Sequence, residues 1–176
     1  MGNTTIGCVT IFNSIPKPSH EEILRLVREE HIKEGVPWAY FDGASSQNNK
    51  CGAGLVIQLN IHRCPKASVG LGNKSNNFVE LLALKLLLCR PTHLGILTIQ
   101  FFGDLMNIIK LFNGVSRCQN YILSPLLEEI KHLKYLFNEF SLWHIYRKRN
   151  ETTDRLSKAG LQQDLGSWRI EETNMD

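Results

Sequence analysis

WAYFDGASSQNNKCGAGLVIQLNIHRCPKASVGL, residues 38–71, is the stretch that decides the fold. Trp38-Ala39-Tyr40-Phe41 reads as a short aromatic strand stopped by Asp42-Gly43. Gly52–Leu59 and Ile61–Leu71 read as two further strands, giving an antiparallel run of three. After residue 71 the pattern changes to alternation. Asn77–Arg90 is a predicted helix and Ile96–Phe102 a β-branched and aromatic strand. Asp104–Phe112 is a second helix closed by Asn113-Gly114. Ser124-Pro125 caps and opens a third helix that runs to about Phe137. Phe140–Ile145 and Glu151–Leu161 complete the series as a last strand and a last helix. The order βββ-α-β-α-α-β-α predicts an α/β fold, a five-stranded mixed sheet with helices packed on it.

Outward from this core, Ser19-His20-Glu21-Glu22 has the form of a capping box and predicts a helix to about Glu34, ended by Gly35 and Pro37. The expected organisation is an N-terminal extension over 1–35, a domain over 36–166 and a C-terminal tail over 167–176. Of the 176 residues, 43% are hydrophobic and 21% charged, an ordinary globular composition. No apolar run reaches the roughly 18–20 residues of a membrane span. Cys8, Cys51, Cys64, Cys89 and Cys118 are odd in number, with no C-x-x-C pair, which argues against a disulfide framework or a zinc site. The N-terminus lacks the basic flank and apolar centre of a signal peptide, and Ile6 breaks the myristoylation pattern. An intracellular setting, nucleus or cytoplasm, is therefore expected. The net charge is +3, but residues 35–166 alone carry fifteen Lys/Arg against nine Asp/Glu. That balance suits a polyanionic partner.

Four acids fall at equivalent places on this outline. Asp42 ends the first strand, Asp104 follows the strand Ile96–Phe102, and Glu80 and Asp154 lie in the first turns of helices. Strand carboxyl ends and helix N-termini gather on one edge of such a sheet, so the four are expected to converge. Taken singly, each has a plain reading: Asp42-Gly43 a turn, Glu80 and Asp154 dipole-favoured residues, Asp104 an N-cap. Together they form a carboxylate cluster that requires cations, and all-oxygen ligands suit Mg²⁺ or Mn²⁺. Two such ions form the known arrangement for in-line phosphodiester cleavage.

Phe41-Asp42-Gly43-Ala44-Ser45, Asn76-Asn77-Phe78-Val79-Glu80-Leu81, Phe102-Gly103-Asp104 and His144-Ile145-Tyr146-Arg147 with Asn150 and Asp154 resemble the successive motifs of type 1 ribonuclease H. The version found in reverse-transcriptase polyproteins of plant retroelements is the one most resembled. The resemblance covers about Pro37 to Leu161. It implies helices on both faces of the sheet, the tetrad Asp42, Glu80, Asp104 and Asp154 as catalytic ligands of two Mg²⁺ (or Mn²⁺) ions, and an RNA–DNA hybrid as partner. Cleavage would be endonucleolytic, leaving 3′-hydroxyl and 5′-phosphate ends. The backbone of Gly43, Ala44 and Ser45 would face the RNA, Asn76 and Asn77 the minor groove, and Ser75 a DNA phosphate. The implied chain is a monomer away from membranes, or formerly part of a polyprotein.

Several positions depart from the family pattern. Leu105 stands where members often have Ser, and Thr153 where they often have Ala. Asn113–Tyr121 is too short for the helix and basic protrusion with which some bacterial members grip substrate. Grip then falls to Arg147, Lys148, Arg149 and Arg155. His144 precedes Asp154 by ten residues, as a catalytic histidine does in many members, but the local pattern ends a strand there and makes it structural. A rival reading is a catalytically silent, transposon-derived domain that binds nucleic acid. Another is an exonuclease or integrase of the same fold, against which Asn76-Asn77 before Glu80 argues.

Overall fold

The computed structural model describes residues 33, 35–112, 114, 117–145, 147 and 150–174. The helix expected over 19–34 lies, but for Lys33, outside the described residues. The strands are β1 (Trp38–Ser45), β2 (Lys50–Gln58), β3 (Arg63–Asn73), β4 (Thr98–Gly103), β5 (Glu139–His144) and β6 (Trp168–Asn174). The helices are α1 (Asn76–His93), α2 (Met106–Phe112), α3 (Leu123–Leu133) and α4 (Glu151–Gly160).

The strands form one mixed sheet in the order β5-β4-β1-β2-β3-β6. β1 pairs antiparallel with β2 and parallel with β4, and β4 pairs parallel with β5. The expected class holds, with one strand more than the five predicted. Residues 168–174 of the supposed tail pair antiparallel with β3, from Val69↔Trp168 to Arg63↔Asn174. The run Trp168-Arg169-Ile170-Glu171-Glu172 alternates only briefly, and even its apolar Trp168 and Ile170 stay exposed, as suits an edge strand.

Element ends also differ from expectation. β1 continues through Asp42 to Ser45, because β2 supplies partners as far as Ser45↔Cys51. α1 runs past Pro91 to His93, where the Leu94 and Gly95 N–H groups close on the carbonyls of Arg90, Pro91 and Thr92. Gly95, at φ +74°, ends it. α2 starts at Met106 rather than Asp104, since the first turn closes on the Leu105 carbonyl. α3 begins at Leu123, where Asn120 accepts N–H donors from Ile122, Leu123 and Ser124 and takes the role predicted for Ser124. Among the described residues no helix is long and apolar enough to cross a membrane. Cys51 is buried, and Cys64, Cys89 and Cys118 are half-buried, all four as free thiols.

Helices cover both faces. Alternation along β1 and β2 turns Ala39, Phe41, Ala53, Leu55 and Ile57 into the core shared with Leu81, Leu84 and Leu88 of α1 and Ile130 of α3. Each of the larger buried side chains, leucine, isoleucine or phenylalanine, contributes about 1.5–3 kcal/mol. The other face of β2 presents Gly52 and Gly54 to α4. A Cβ at Gly54 would strike the backbone of Thr153 and Ser157, and one at Gly52 that of Ser157 and Gly160. Here the glycines allow backbone to approach backbone.

Candidate active site

The parallel half of the sheet sets the level of the site. Phe41, Gly103 and His144 lie in register as the last parallel pairs of β1, β4 and β5. Asp42 and Asp104 each follow those residues, and so stand side by side at the carboxyl ends of neighbouring strands. α1 brings Glu80 in over Gly43, where an added Cβ would lie 2.7 Å from Val79 Cγ1 and 3.1 Å from the Glu80 backbone nitrogen. Gly43 is therefore glycine because α1 packs directly on it. Its backbone N–H also favours the ionised Glu80 carboxylate. Glu80 sits just beyond the first turn of α1, which contains no acid, so helix-dipole preference does not account for it.

α4 closes the cluster from the other face. Asn150 is buried and donates from Nδ2 to the Phe41 carbonyl oxygen at 3.0 Å, while its own carbonyl accepts from Asp154 N at 3.0 Å. The Thr153 hydroxyl donates to the Asn150 carbonyl at 2.8 Å and closely approaches its Oδ1. These bonds fasten the start of α4 beside Asp42 and put Asp154 in its first turn, as expected. Ser157 Oγ lies 3.3 Å from Asp42 Oδ2. His144 ends β5, and its Nε2–H donates to the Asp104 carbonyl at 3.0 Å. Burial holds this imidazole below its ordinary pKa. That is the structural placement anticipated for His144.

The electrostatics record the crowding of the acids. Burial, then Asp104 and Asp154, push the Asp42 carboxyl up to about 7. Burial, then Asp42 and Asp104, push Glu80 up to about 9. Both acids, Asp42 buried and Glu80 half-buried, are therefore biased toward the neutral form while no cation neutralises their neighbours. Two basic side chains partly meet this need. Lys158 Nζ is 2.7 Å from Asp154 Oδ2, and Arg147 Nε is 4.0 Å from Asp104 Oδ2. Asp104 Oδ2 is buried without a hydrogen bond. An all-carboxylate donor set with one orphaned oxygen and two protonation-prone members fits a hard divalent cation. The four nevertheless stand apart: among the described residues no three His, Cys, Asp or Glu side chains converge into a ready-made metal cage.

Beside the acids runs a groove of about 320 Å³ lined by Gly43, Ala44, Ser45, Asn76, Asn77, Val79, Glu80, Leu105 and Arg147. It gathers every substrate-contact candidate except Ser75, which caps α1 through its backbone, its carbonyl accepting from Val79 N at 2.9 Å. No side-chain cap is made there, so the simple capping role is not what selects serine. Ser45 Oγ and Asn76 Oδ1 are hydrogen-bonded across the groove floor. Arg147 is exposed at the rim, Arg155 is exposed on α4, and Lys148 and Arg149 lie outside the described residues. Lys158 and Ser157 were not anticipated. The spacings Asp154 to Lys158 (i, i+4) and Asp154 to Ser157 (i, i+3) were the available signals.

A family model described as "Reverse transcriptase-like" matches residues 40–160. No curated protein sequence matches the chain. Among solved structures, ribonuclease H1 from the halophilic archaeon Halobacterium salinarum is 27% identical with a TM-score of 0.68, over 72% of this chain and 98% of that one. The N-terminal ribonuclease H domain of a Mycobacterium tuberculosis protein is 21% identical with a TM-score of 0.64, over 71% and 92%. LC11-RNase H1, isolated from compost by a metagenomic approach and solved with an RNA/DNA hybrid, is 23% identical with a TM-score of 0.63, over 71% and 96%.

Proposed function

Because the chain belongs to the reverse transcriptase-like family and carries the ribonuclease H fold, we propose that it cleaves the RNA strand of RNA–DNA hybrids endonucleolytically. Asp42, Glu80, Asp104 and Asp154 would hold two divalent cations, Mg²⁺ or Mn²⁺. The observation that carries this reading is the mutual charge repulsion that links Asp42 to Asp104 and Asp154, and Glu80 to Asp42 and Asp104, beside a groove that contains Ser45, Asn76 and Asn77. The chemistry that two divalent cations supply at such a cluster is polarisation of water and of the phosphoryl oxygens. The chain's own residues do the rest. The carboxamides of Asn76 and Asn77 offer donors and acceptors to base edges and to a 2′-hydroxyl, which distinguishes RNA from DNA. Arg147 contributes positive charge where phosphate enters. Gly43 and Ala44 keep the groove floor low enough for a backbone to approach.

A labelled RNA–DNA hybrid, with duplex RNA and duplex DNA as controls, tests the proposal in Mg²⁺ and in Mn²⁺. Cutting of only the hybrid's RNA is expected, leaving 3′-hydroxyl ends. Asp104→Asn should reduce it by about 10³-fold or more, since several kcal/mol of transition-state charge stabilisation is lost. A second reading, a module that binds hybrid without cutting it, is favoured by Lys158 on Asp154 and by the absence of a converged cage among the described residues. Normal hybrid binding by folded wild type with no cutting in either metal would establish it instead.

A further inference from the structure

Ser157 is fully buried in the interface between α4 and the sheet. Its Oγ stands 2.8 Å from the Asp154 carbonyl oxygen and 3.3 Å from Asp42 Oδ2. The first contact is within α4; the second reaches across to β1. One hydroxyl thus touches the backbone of one candidate ligand and the carboxylate of another. The position also has no room to drift. A Cβ at Gly52 would strike the Ser157 carbonyl oxygen, and one at Gly54 would come within 2.7 Å of its nitrogen. The Asn150 bond to the Phe41 carbonyl holds the N-terminal end of α4 on β1 one residue before Asp42. With one proton for two acceptors the hydroxyl makes a three-centre bond, stronger to the Asp154 carbonyl and weaker to Asp42 Oδ2, and even the weaker arm limits the rotation of the carboxylate it meets.

We propose that Ser157 is a positioning residue: its hydroxyl orients the Asp42 carboxylate against α4, sets it relative to Asp154, and leaves its remaining lone pairs for a divalent cation. The proposal rests on the cation-binding reading of the carboxylates and adds to it a residue outside the tetrad. Partners of ligating carboxylates characteristically change metal affinity by about 10–100-fold, and a 3.3 Å contact belongs at the low end of that range.

The test is calorimetric titration of Mn²⁺ into wild type, Ser157→Ala, Ser157→Cys, Ser68→Ala and Asp42→Asn, with thermal melts of each. Ser157→Ala keeps the helix and removes only the hydroxyl. It should weaken Mn²⁺ binding by about tenfold while the melt stays close to wild type. Ser157→Cys, a weaker donor of similar size, should fall between them. Ser68→Ala removes another buried hydroxyl that donates to α4, at the Leu156 carbonyl (2.6 Å), but touches no acid; it should bind Mn²⁺ as wild type does. In cleavage assays Ser157→Ala should raise the Mn²⁺ concentration for half-maximal rate and leave KM for the hybrid unchanged. Wild-type Mn²⁺ affinity in Ser157→Ala, or equal weakening in Ser68→Ala, overturns the positioning role while leaving the tetrad intact. Undiminished binding in Asp42→Asn, or none in wild type, overturns the cation reading and this proposal with it.

Discussion

On one face of the sheet Leu81, Leu84 and Leu88 of α1 share a core with Phe41, Leu55 and Phe101, all six at most 2% exposed. On the other face α4 meets β2 across Gly52 and Gly54, and beside the apolar Leu156 the polar groups Asn150, Thr153 and Ser157 are buried. The first face is held by apolar burial, which is large but non-directional. The second adds to the burial of Leu156 close backbone contact and hydrogen bonds, which contribute less but specify distance and angle. Asp154 belongs to the second face and Asp42 is anchored to it. The directional contacts that position the acids are thus concentrated on one side of the sheet. Interchanging their packing would give a chain that folds with its carboxylates misplaced, or one that places them and does not hold together.

Substitutions can break this division. Leu84→Ala should cost about 2–5 kcal/mol of unfolding free energy, the usual range for a leucine cavity in a core. Below its melting temperature the variant should bind Mn²⁺ with wild-type affinity. Denaturant unfolding and calorimetry on the same sample measure both, and a large fall in affinity would show that the apolar face also positions the acids. Gly54→Ala should cost less, about 1–3 kcal/mol, because a single methyl is forced against the backbone of Thr153 and Ser157. Its Mn²⁺ affinity should nevertheless fall more than that of Leu84→Ala, since α4 must move to admit the methyl. Equal affinities in the two variants would refute the contrast.

pH sharpens it with a smaller effect. Asp42 and Glu80 are raised from ordinary values of 3.8 and 4.5 to about 7 and about 9. The folded chain therefore keeps protons that the unfolded chain has already lost, so metal-free stability falls as pH rises from about 4 to about 9. Mn²⁺ binds the ionised forms, and its increment to the melting temperature should grow across the same window. Melts at pH 6, 7.5 and 9 with and without Mn²⁺ measure this; an increment independent of pH would uncouple the two carboxyls from the cation.

Much of the fold was legible because its signals are local. The short apolar run in 52–59, the helical spacing in 77–90 and the punctuation at Asp42-Gly43 each operate within a few residues. β6 escaped because an edge strand needs no apolar period, and its partner β3 lies about a hundred residues earlier. Asp42 proved to be inside its strand because β2 continues to pair beyond the point where the aromatic run ends. In the site, four acids could be assigned to one edge from element order alone. Gly52 and Gly54 were read as ordinary strand residues, and only the approach of α4 gives their lack of a side chain a purpose.

The sequence by itself determined the order of elements, the sheet edge to which Asp42, Glu80, Asp104 and Asp154 belong, and the resemblance carried by the motifs around them. Those are consequences of hydrophobic period and turn chemistry, which are written along the chain. Only the tertiary structure decided that β6 closes the sheet, that Asn150 and Ser157 fasten α4 beside Asp42, and that Lys158 and Arg147 meet two of the four acids. The reason is physical: which groups share a buried volume depends on how elements distant in sequence pack, and burial together with neighbouring charge then sets their protonation.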